Sequence, residues 1–228
     1  AQELIRRGYV KSGGRIVSQA GETLDAGAVL EVTRALRFVS RGGEKLDGAL
    51  TTLRVDVANA VVADLGASTG GFTDVVLQRG ARKVYAIDVG TDQLARSLRD
   101  DPRVVSRENT NARDLLRSDF AEDVDLVVVD ASFIPLEKLL PAIARIARSG
   151  GGLMALVKPQ FEVGREAARA ARGVITDPAL RERAIAGARG AIRRAGFTVS
   201  GECDSCLPGP AGNVERFVYA TRDGTPAP

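Results

Sequence analysis

Four charged residues flank short apolar runs, at positions where their side chains could meet. Asp130 and Lys158 close the runs "DLVVVD" and "LMALVK". Glu215 opens the last run, in "GNVERF", and Lys45 lies in "RGGEKL", before the first run. A buried lysine beside carboxylates is costly unless function requires it, so two cations and two carboxylates in one pocket would indicate an active site. Separate ion pairs on the surface are the alternative interpretation.

A glycine-rich turn follows the first apolar run, in "VVADLGASTGGFTDVV" (residues 61–76). Glycines let the backbone approach a ligand closely, and the helix expected after the turn offers free N–H groups. The turn lacks the dinucleotide pattern G-x-G-x-x-G, and the acid before it, Asp64, would repel a pyrophosphate. A carboxylate there suits an ammonium or sulfonium group instead. Asp88 stands about 20 residues further on, where an acid can accept both hydroxyls of a ribose. A plain structural turn is the alternative.

Strands and helices are expected to alternate over most of the chain. Apolar runs predict strands at 61–65, 83–88, 103–106, 124–130, 152–158, 197–200 and 214–220. Helical patterns lie between them, at 71–79, 91–99, 112–117, 136–148 and 179–195. The alternation predicts an α/β fold with a doubly wound, Rossmann-like sheet of seven mostly parallel strands, which binds ligands at the carboxyl ends of its strands. No helix separates the last two strands, so we expect an antiparallel edge strand.

The excess positive charge lies near the N-terminus. The whole chain has a net charge of +3, and residues 1–45 account for it with eight basic and five acidic residues. A basic piece on a neutral body suggests contact with phosphates, although an ordinary solvated surface would carry the same charge. Residues 1–36 are predicted to form a small α/β module and residues 37–44 a linker. Residues 45–228 are predicted to form the main domain, which opens with a helix at Lys45.

The composition argues against several classes of site. The chain has no histidine, which removes histidine triads, histidine bases and histidine-ligated zinc. Cys203 and Cys206 form a lone C-x-x-C, which would be a redox pair, half of a zinc site, or two incidental cysteines. Aromatic residues make up 4% of the chain, so base stacking is not expected to dominate binding of nucleic acid. No apolar run reaches the roughly 18 residues of a membrane span, so we expect a soluble, cytoplasmic protein without a membrane partner.

Several motifs, taken together and in this order, resemble a known family. The segments "DLGASTGGFTDVVLQRGA", "VYAIDVG", "DLVVVDASF", "LVKPQFE" and "GNVERF" are similar to the FtsJ-type RNA 2′-O-methyltransferases, which depend on S-adenosylmethionine. "RFVSRGGEKLDGAL" narrows the resemblance to the TlyA group, whose members are also called haemolysins. The resemblance implies methylation of cytidine riboses in the 16S or 23S ribosomal RNA of ribosomal subunits, with no metal. It also implies that residues 1–36 are part of an RNA-binding domain like that of ribosomal protein S-four.

The resemblance assigns roles to individual residues. Its catalytic tetrad falls on Lys45, Asp130, Lys158 and Glu215, the residues that the strand ends had indicated. Lys158 would then be the base for the 2′-hydroxyl, Asp130 and Glu215 would orient it, and Lys45 would hold the hydroxyl or its phosphate. The cofactor would be held by Asp64, Gly66, Ala67, Ser68, Thr69, Gly70, Gly71, Phe72, Asp88, Val89, Asn109 and Asp130.

Contacts with RNA are expected from basic residues outside the tetrad. These residues are Arg6, Arg7, Lys11, Arg15, Arg37, Arg41, Arg165, Arg169 and Arg172. The last three are spaced four and three residues apart and would share one helical face, unless that face only contacts solvent.

Three other functions remain open from the sequence. A nicotinamide-dependent dehydrogenase would use a similar sheet, but the glycine pattern differs from the one it needs. A membrane-active haemolysin would need an amphipathic or apolar segment for insertion, which no helical pattern here provides. An RNA-binding factor without catalysis would not require the four charged residues.

Overall fold

The structure, a computed structural model, describes residues 4–5, 8–33 and 37–224. A small antiparallel sheet lies within residues 8–33 and has the strand order β2-β1-β3. Its strands are β1 (Val10–Ser12), β2 (Arg15–Ile16) and β3 (Leu30–Val32). These strands lie within residues 1–36, the predicted N-terminal module. The division of the chain into a module, a linker and a main domain stays a prediction.

Within residues 37–224, seven strands form one mixed sheet in the order β6-β5-β4-β7-β8-β10-β9. Five of them run parallel to one another from β6 to β8. The bounds are β4 (Val61–Leu65), β5 (Lys83–Ile87), β6 (Val104–Arg107), β7 (Val124–Val129), β8 (Ala147–Val157), β9 (Phe197–Asp204) and β10 (Arg216–Arg222).

Helices cover both faces of this sheet. They are α1 (Arg41–Thr52), α2 (Gly71–Gln78), α3 (Arg96–Arg99), α4 (Leu140–Ile146), α5 (Pro159–Glu162), α6 (Arg165–Ala170) and α7 (Pro178–Arg194). Short 3-10 helices lie at Ala112–Asp114, Arg117–Asp119 and Leu136–Lys138. Asp177 caps α7 by accepting a hydrogen bond from the Ala179 N–H, and Pro178 occupies its first position.

The hydrophobic core has two layers, one on each side of the sheet. On one side, Ile143 of α4 and Ile185 of α7 pack against the strands. On the other side, Leu46 of α1 and Val75 of α2 do the same. Strand β4 is buried along its whole length because it lies between both layers. The predicted doubly wound α/β class is therefore confirmed.

The antiparallel strand is not at the edge of the sheet, which corrects the expected position. Strand β10 pairs antiparallel with both β8 and β9, so β9 is the outermost strand. Arg216, at the start of β10, lies opposite Val157, at the end of β8. Glu215 therefore reaches the edge where the parallel strands end, as its position in the sequence predicted.

Several element boundaries also differ from those predicted. Helix α1 begins at Arg41 rather than Lys45, so the second half of the predicted linker is helical. The pattern over 91–99 yields a helix only at Arg96–Arg99, and 112–117 gives 3-10 turns. Such short patterns bury too few side chains to hold a helix by themselves. Among the described residues, no helix has both the length and the apolar character to cross a membrane.

Candidate active site

A cavity of about 190 Å³ opens where β4, β7 and β8 end. The first turn of α1 and the start of α2 close its sides. Its walls contain most of the predicted loop residues together with two of the four charged residues of the predicted tetrad. They are Ser40, Gly42, Gly66, Ala67, Ser68, Thr69, Gly71, Phe72, Asp130, Ser132 and Lys158.

The glycines of the loop are required by close backbone contacts. Gly66 has a φ of 84°, and a Cβ there would lie 2.8 Å from the carbonyl oxygen of Asp130. A Cβ on Gly71 would collide with Ser40 Oγ and lie 2.9 Å from the Gly43 nitrogen. Gly70, with a φ of 93°, forms the N-cap of α2. The loop can thus bring main-chain N–H groups to the cavity wall only without side chains.

Asp64 lies beneath this loop and is fully buried. Its Oδ2 accepts a hydrogen bond from Thr73 Oγ1 at 2.7 Å, while Oδ1 has no hydrogen-bond partner among the described residues. Burial raises the pKa of Asp64 to about 7, and the negative charges of Asp130 and Asp88 add to the effect. The hydrogen bond from Thr73 works in the opposite direction.

Asp88 follows β5 and organises the loop beside the cavity. Its Oδ2 accepts the Ser68 N–H at 2.8 Å and its Oδ1 accepts the Gly90 N–H at 2.7 Å. Each carboxylate oxygen retains a second lone pair, so both can still accept a hydroxyl of a ribose. This geometry agrees with the role expected of Asp88.

Lys158 and Asp130 form an ion pair on the cavity wall. Lys158 Nζ lies 2.7 Å from Asp130 Oδ1 and donates a hydrogen bond to Ser132 Oγ at 2.8 Å. Among the described residues Asp130 Oδ1 accepts no hydrogen bond, so its contact with Lys158 is purely ionic. The ammonium also lies 6.0 Å from the centre of the Phe161 ring. The amine therefore faces the cavity with one charged and one hydroxyl neighbour.

Lys45 and Glu215 form a second, enclosed ion pair. Lys45 Nζ donates to Glu215 Oε2 at 2.5 Å, and the side chains are 8% and 1% exposed. Glu215 therefore contacts Lys45 rather than Lys158, which it was expected to orient. Helix α1, which carries Lys45, also contacts the first pair, because a Cβ on its Gly42 would lie 3.7 Å from Asp130 Oδ2.

The remaining predicted cofactor residues lie beside the cavity rather than in its wall. Val89 is exposed. Asn109 is also exposed and has a φ of 52°, and its N–H donates to the Gly90 carbonyl oxygen at 3.0 Å. The loop after β6 is thus tied to the loop after β5. The adenine contact expected of Asn109 stays a prediction.

Three residues of the site were missed in the sequence. Ser40 and Ser132 contribute hydroxyls to the cavity wall. Phe133 has a φ of 65° and is 90% exposed, and its ring centre lies 5.2 Å from that of Phe161 in a tilted arrangement. Ser132 and Phe133 both belong to "DASF", which directly follows a predicted strand end, so that position could have indicated them.

The predicted RNA contacts are scattered in the structure. Arg15 pairs with Glu22 at 2.5 Å, Arg37 pairs with Asp47 at 2.5 Å, and Arg41 donates to the Pro208 carbonyl oxygen at 3.0 Å. Lys11 lies half-buried on β1, and Arg6 and Arg7 lie outside the described residues. Further along the chain, three more predicted contacts are exposed: Arg165, Arg169 and Arg172.

Arg172 does not share the helical face expected for it. Helix α6 ends at Ala170, and Arg172 has a φ of 48° beyond its end. Asn213, which is buried, fixes the segment that follows. Its Nδ2 donates to the Gly173 carbonyl oxygen and its Oδ1 accepts the Ile175 N–H, both at 2.8 Å. The exposed arginines are thereby connected to the strand that carries Glu215.

The two cysteines are free thiols in this structure. Cys206 Sγ donates to the Glu44 carbonyl oxygen at 3.3 Å. Burial raises the pKa of both thiols, which lowers the share of reactive thiolate at neutral pH. No group of three or more metal-binding side chains occurs among the described residues.

The residues present fit S-adenosylmethionine. The glycine loop admits close approach, Asp88 offers two oxygens to a ribose, and Asp64 lies beneath the loop with one buried oxygen that has no hydrogen-bond partner in the described part of the chain. A cluster of carboxylates with one lysine is matched by a ligand that carries a sulfonium and an ammonium. Among the chain's own residues, the loop and the two acids would hold this cofactor.

Comparisons with known proteins agree with this site. The FtsJ-like methyltransferase family matches residues 38–222. The chain is 47% identical over 221 residues to the 16S/23S rRNA (cytidine-2′-O)-methyltransferase TlyA of Mycobacterium tuberculosis, covering 96% of this chain and 82% of that protein.

Two solved structures are also similar. A putative hemolysin from Streptococcus thermophilus is 40% identical with a TM-score of 0.84, covering 99% of this chain and 82% of that one. A putative hemolysin from Lactococcus lactis is 43% identical with a TM-score of 0.80, covering 84% of this chain and 91% of that one. With a family match over most of its length and relatives this similar, the chain belongs to the FtsJ-like methyltransferases and, within them, to the TlyA family.

Proposed function

We propose that this protein transfers a methyl group from S-adenosylmethionine to the 2′-hydroxyl of cytidine in 16S or 23S ribosomal RNA, in ribosomal subunits in the cytoplasm. The observation that carries the proposal is the Asp130–Lys158 ion pair on the wall of the glycine-lined cavity. In this proposal, the hydroxyl and the methyl donor meet beside the lysine amine. The cytidine is taken from the TlyA relative, whose name specifies that substrate.

Lys158 is the base in this proposal. A ribose 2′-hydroxyl is a poor nucleophile, so its proton must be removed as the new bond forms. Lys158 can accept that proton only while its amine is neutral. Accepting it converts the amine to an ammonium group, which the Asp130 carboxylate stabilises, with Oδ1 at 2.7 Å from Nζ. Ser132 Oγ fixes the direction of the amine. When bound, S-adenosylmethionine supplies an electrophilic methyl group to the site.

Lys45 and Glu215 position the wall of the site. Their enclosed ion pair joins α1 to the residue just before β10, and the N-cap and first turn of α1 contribute Ser40 and Gly42 to the cavity. Holding the two reactants in near-attack geometry supplies much of the rate of such transfers. The enclosed pair therefore contributes by fixing this wall rather than by contacting the hydroxyl directly.

The RNA would approach over the exposed residues around the cavity. Phe133 offers an exposed ring next to Phe161, whose own ring lies 6.0 Å from Lys158 Nζ, and an extruded base could stack on it. Arg165 and Arg169 offer unburied guanidinium groups for phosphates, and Asn213 holds the adjoining segment in place.

Transfer of labelled methyl groups to purified ribosomal subunits tests the proposal. A 2′-O-methyl group removes the hydroxyl that attacks the neighbouring phosphodiester, so alkali leaves the label in resistant dinucleotides. Methylation of a base would leave it in mononucleotides. We expect resistant dinucleotides that contain cytidine with the native protein and none with Lys158→Ala. Label in mononucleotides would contradict the proposed target, and binding of the RNA without any transfer would favour a factor that lacks catalysis.

A further inference from the structure

Asp64 is a buried acid of the site that the proposed mechanism does not yet use. It lies near the end of β4, beneath the loop that lines the cavity, and one of its oxygens has no hydrogen-bond partner among the described residues. Its other oxygen accepts a hydrogen bond from Thr73, itself fully buried on α2. A buried carboxylate oxygen without a partner is costly, so a proton or a cation is needed to satisfy it.

The charges around Asp64 do not balance. Asp88 faces it from the end of β5 and Asp130 from the end of β7, and both oppose its ionisation. Lys158, from the end of β8, is the cation of this group, and it is already paired with Asp130. With all three acids ionised, the group has a net charge of −2, taking −3 from the acids and +1 from Lys158. A proton on Asp64 or a bound cation reduces this excess.

We propose that Asp64 selects the cationic methyl donor over its neutral product, by holding a proton before the donor binds and releasing that proton when the sulfonium arrives. The inference rests on the proposed function, since it assumes that S-adenosylmethionine is the donor. The two ligands share adenosine and the amino acid, and they differ in the methyl group and its positive charge. If the Asp64 carboxyl ionises only when that positive charge is in the cavity, its negative charge stabilises the bound donor. The neutral product receives no such stabilisation and leaves more readily.

The titration of Asp64 agrees with this geometry. Burial and the two neighbouring acids raise its pKa to about 7, so the proton is present on a large share of molecules at neutral pH. Asp64 does not line the cavity itself, so a sulfonium bound there would act on it through space, and this positive charge would favour the ionised form. Affinity for the donor should therefore increase about tenfold from pH 6 to pH 8, as a proton that must be released becomes easier to lose. Affinity for S-adenosylhomocysteine should change much less.

Calorimetric titrations of the whole protein test the inference. Each ligand is titrated at pH 7 in phosphate and in Tris, whose different heats of ionisation reveal the protons released. We expect release of a substantial fraction of a proton with S-adenosylmethionine and far less with S-adenosylhomocysteine. Repeating the titrations with Asp64→Asn removes the contribution of this carboxyl, so any release from the ligand's own amino group remains and can be subtracted.

Asp64→Asn also tests selectivity, because an amide has the shape of the protonated acid but cannot ionise. We expect the ratio of the affinities for donor and product to fall about tenfold, with the dependence on pH lost and product binding retained. Asp88→Asn is the matched control, since the ribose is common to both ligands and their affinities should fall together. Thermal unfolding at pH 6 verifies that Asp64→Asn is folded.

The outcomes separate the two proposals. Donor binding with an unchanged affinity ratio and unchanged proton release in Asp64→Asn overturns the role of Asp64 and leaves the proposed function intact. An equal loss of both ligands in Asp64→Asn also overturns it, because selectivity would then not reside there. Absence of donor binding in the native protein contradicts the proposed function, and the inference with it.

Discussion

Single residues show how differently the two ion pairs of the tetrad are placed. Asp130 and Lys158 face the cavity, whereas Lys45 and Glu215 are enclosed between α1 and β10. The residue types and the strand ends predicted that these four would gather at one edge. They could not predict the pairing, because which oxygen meets which amine depends on how α1 packs over the sheet.

Breaking the enclosed pair should destabilise the fold. Glu215→Gln leaves the Lys45 ammonium buried without a counter-charge, and loss of one partner of a buried pair costs about 3–5 kcal/mol. Urea unfolding measures the loss, and Lys45→Met added to Glu215→Gln should recover part of it. Asp100→Asn, in the exposed pair with Arg96, is the control and should cost less than about 1 kcal/mol. Equal effects of Glu215→Gln and Asp100→Asn would contradict the account.

Phe133 should matter for RNA but not for the cofactor. Because its ring is exposed, Phe133 contributes little to the stability of the fold, whereas stacking of an aromatic ring on a base contributes about 1–3 kcal/mol to binding. We expect Phe133→Ala to lower kcat/KM for ribosomal subunits about tenfold and to leave the Kd for S-adenosylmethionine unchanged. Leu116→Ala, another exposed apolar side chain, should change neither quantity. Normal kcat/KM in Phe133→Ala would remove the stacking role.

Elements were predictable where burial alone decides them. The strand at 61–65 was predicted with its observed bounds, because a strand between two layers must be apolar throughout. The position of β10 was not predictable, since pairing of β9 with β10 says nothing of which one meets β8. The start of α1 was missed because two glycines, at 42 and 43, give its first turn a low helix propensity. Packing explains the second of them, as a Cβ on Gly43 would collide with Phe38.

The contact between α1 and α2 depends on another glycine. In Gly71→Ala the new Cβ would collide with Ser40 Oγ and crowd the Gly43 nitrogen, so we expect a loss of about 1–3 kcal/mol and weaker binding of S-adenosylmethionine. Gly187→Ala is the matched change within α7, where nothing lies within 4 Å of the new Cβ. That substitution should stabilise the protein by up to about 1 kcal/mol. Denaturation and calorimetry measure both effects, and unchanged ligand affinity in Gly71→Ala would count against the proposed loop geometry.

For the whole molecule, one buried and one half-buried acid should set the slope of stability against pH. The pKa values of Asp64 and Glu162 are raised to about 7, chiefly by burial, from about 4 in an unfolded chain. Between these values the folded state binds more protons than the unfolded one, so stability falls as pH rises from about 4 to about 7 and then levels. Glu108 has the opposite effect, because backbone N–H groups lower its pKa, and its contribution is lost in acid.

The slope can be measured by urea unfolding from pH 5 to pH 9. The combined variant Asp64→Asn and Glu162→Gln should lose less stability over this range than the native protein, by an amount on the order of a few kcal/mol. Glu108→Gln should leave the slope above pH 5 unchanged. Parallel curves for the native protein and the combined variant would show that neither acid is protonated in the folded state.

The most direct test of the central claim concerns Lys158 as the base. Lys158→Arg keeps a positive charge beside Asp130, but a guanidinium is always protonated and cannot accept a proton. We therefore expect formation of 2′-O-methylcytidine in ribosomal subunits, measured by mass spectrometry of the digested RNA, to slow by a factor of about 10²–10⁴. Binding of S-adenosylmethionine should stay close to native. Methylation by Lys158→Arg at the native rate would contradict the account.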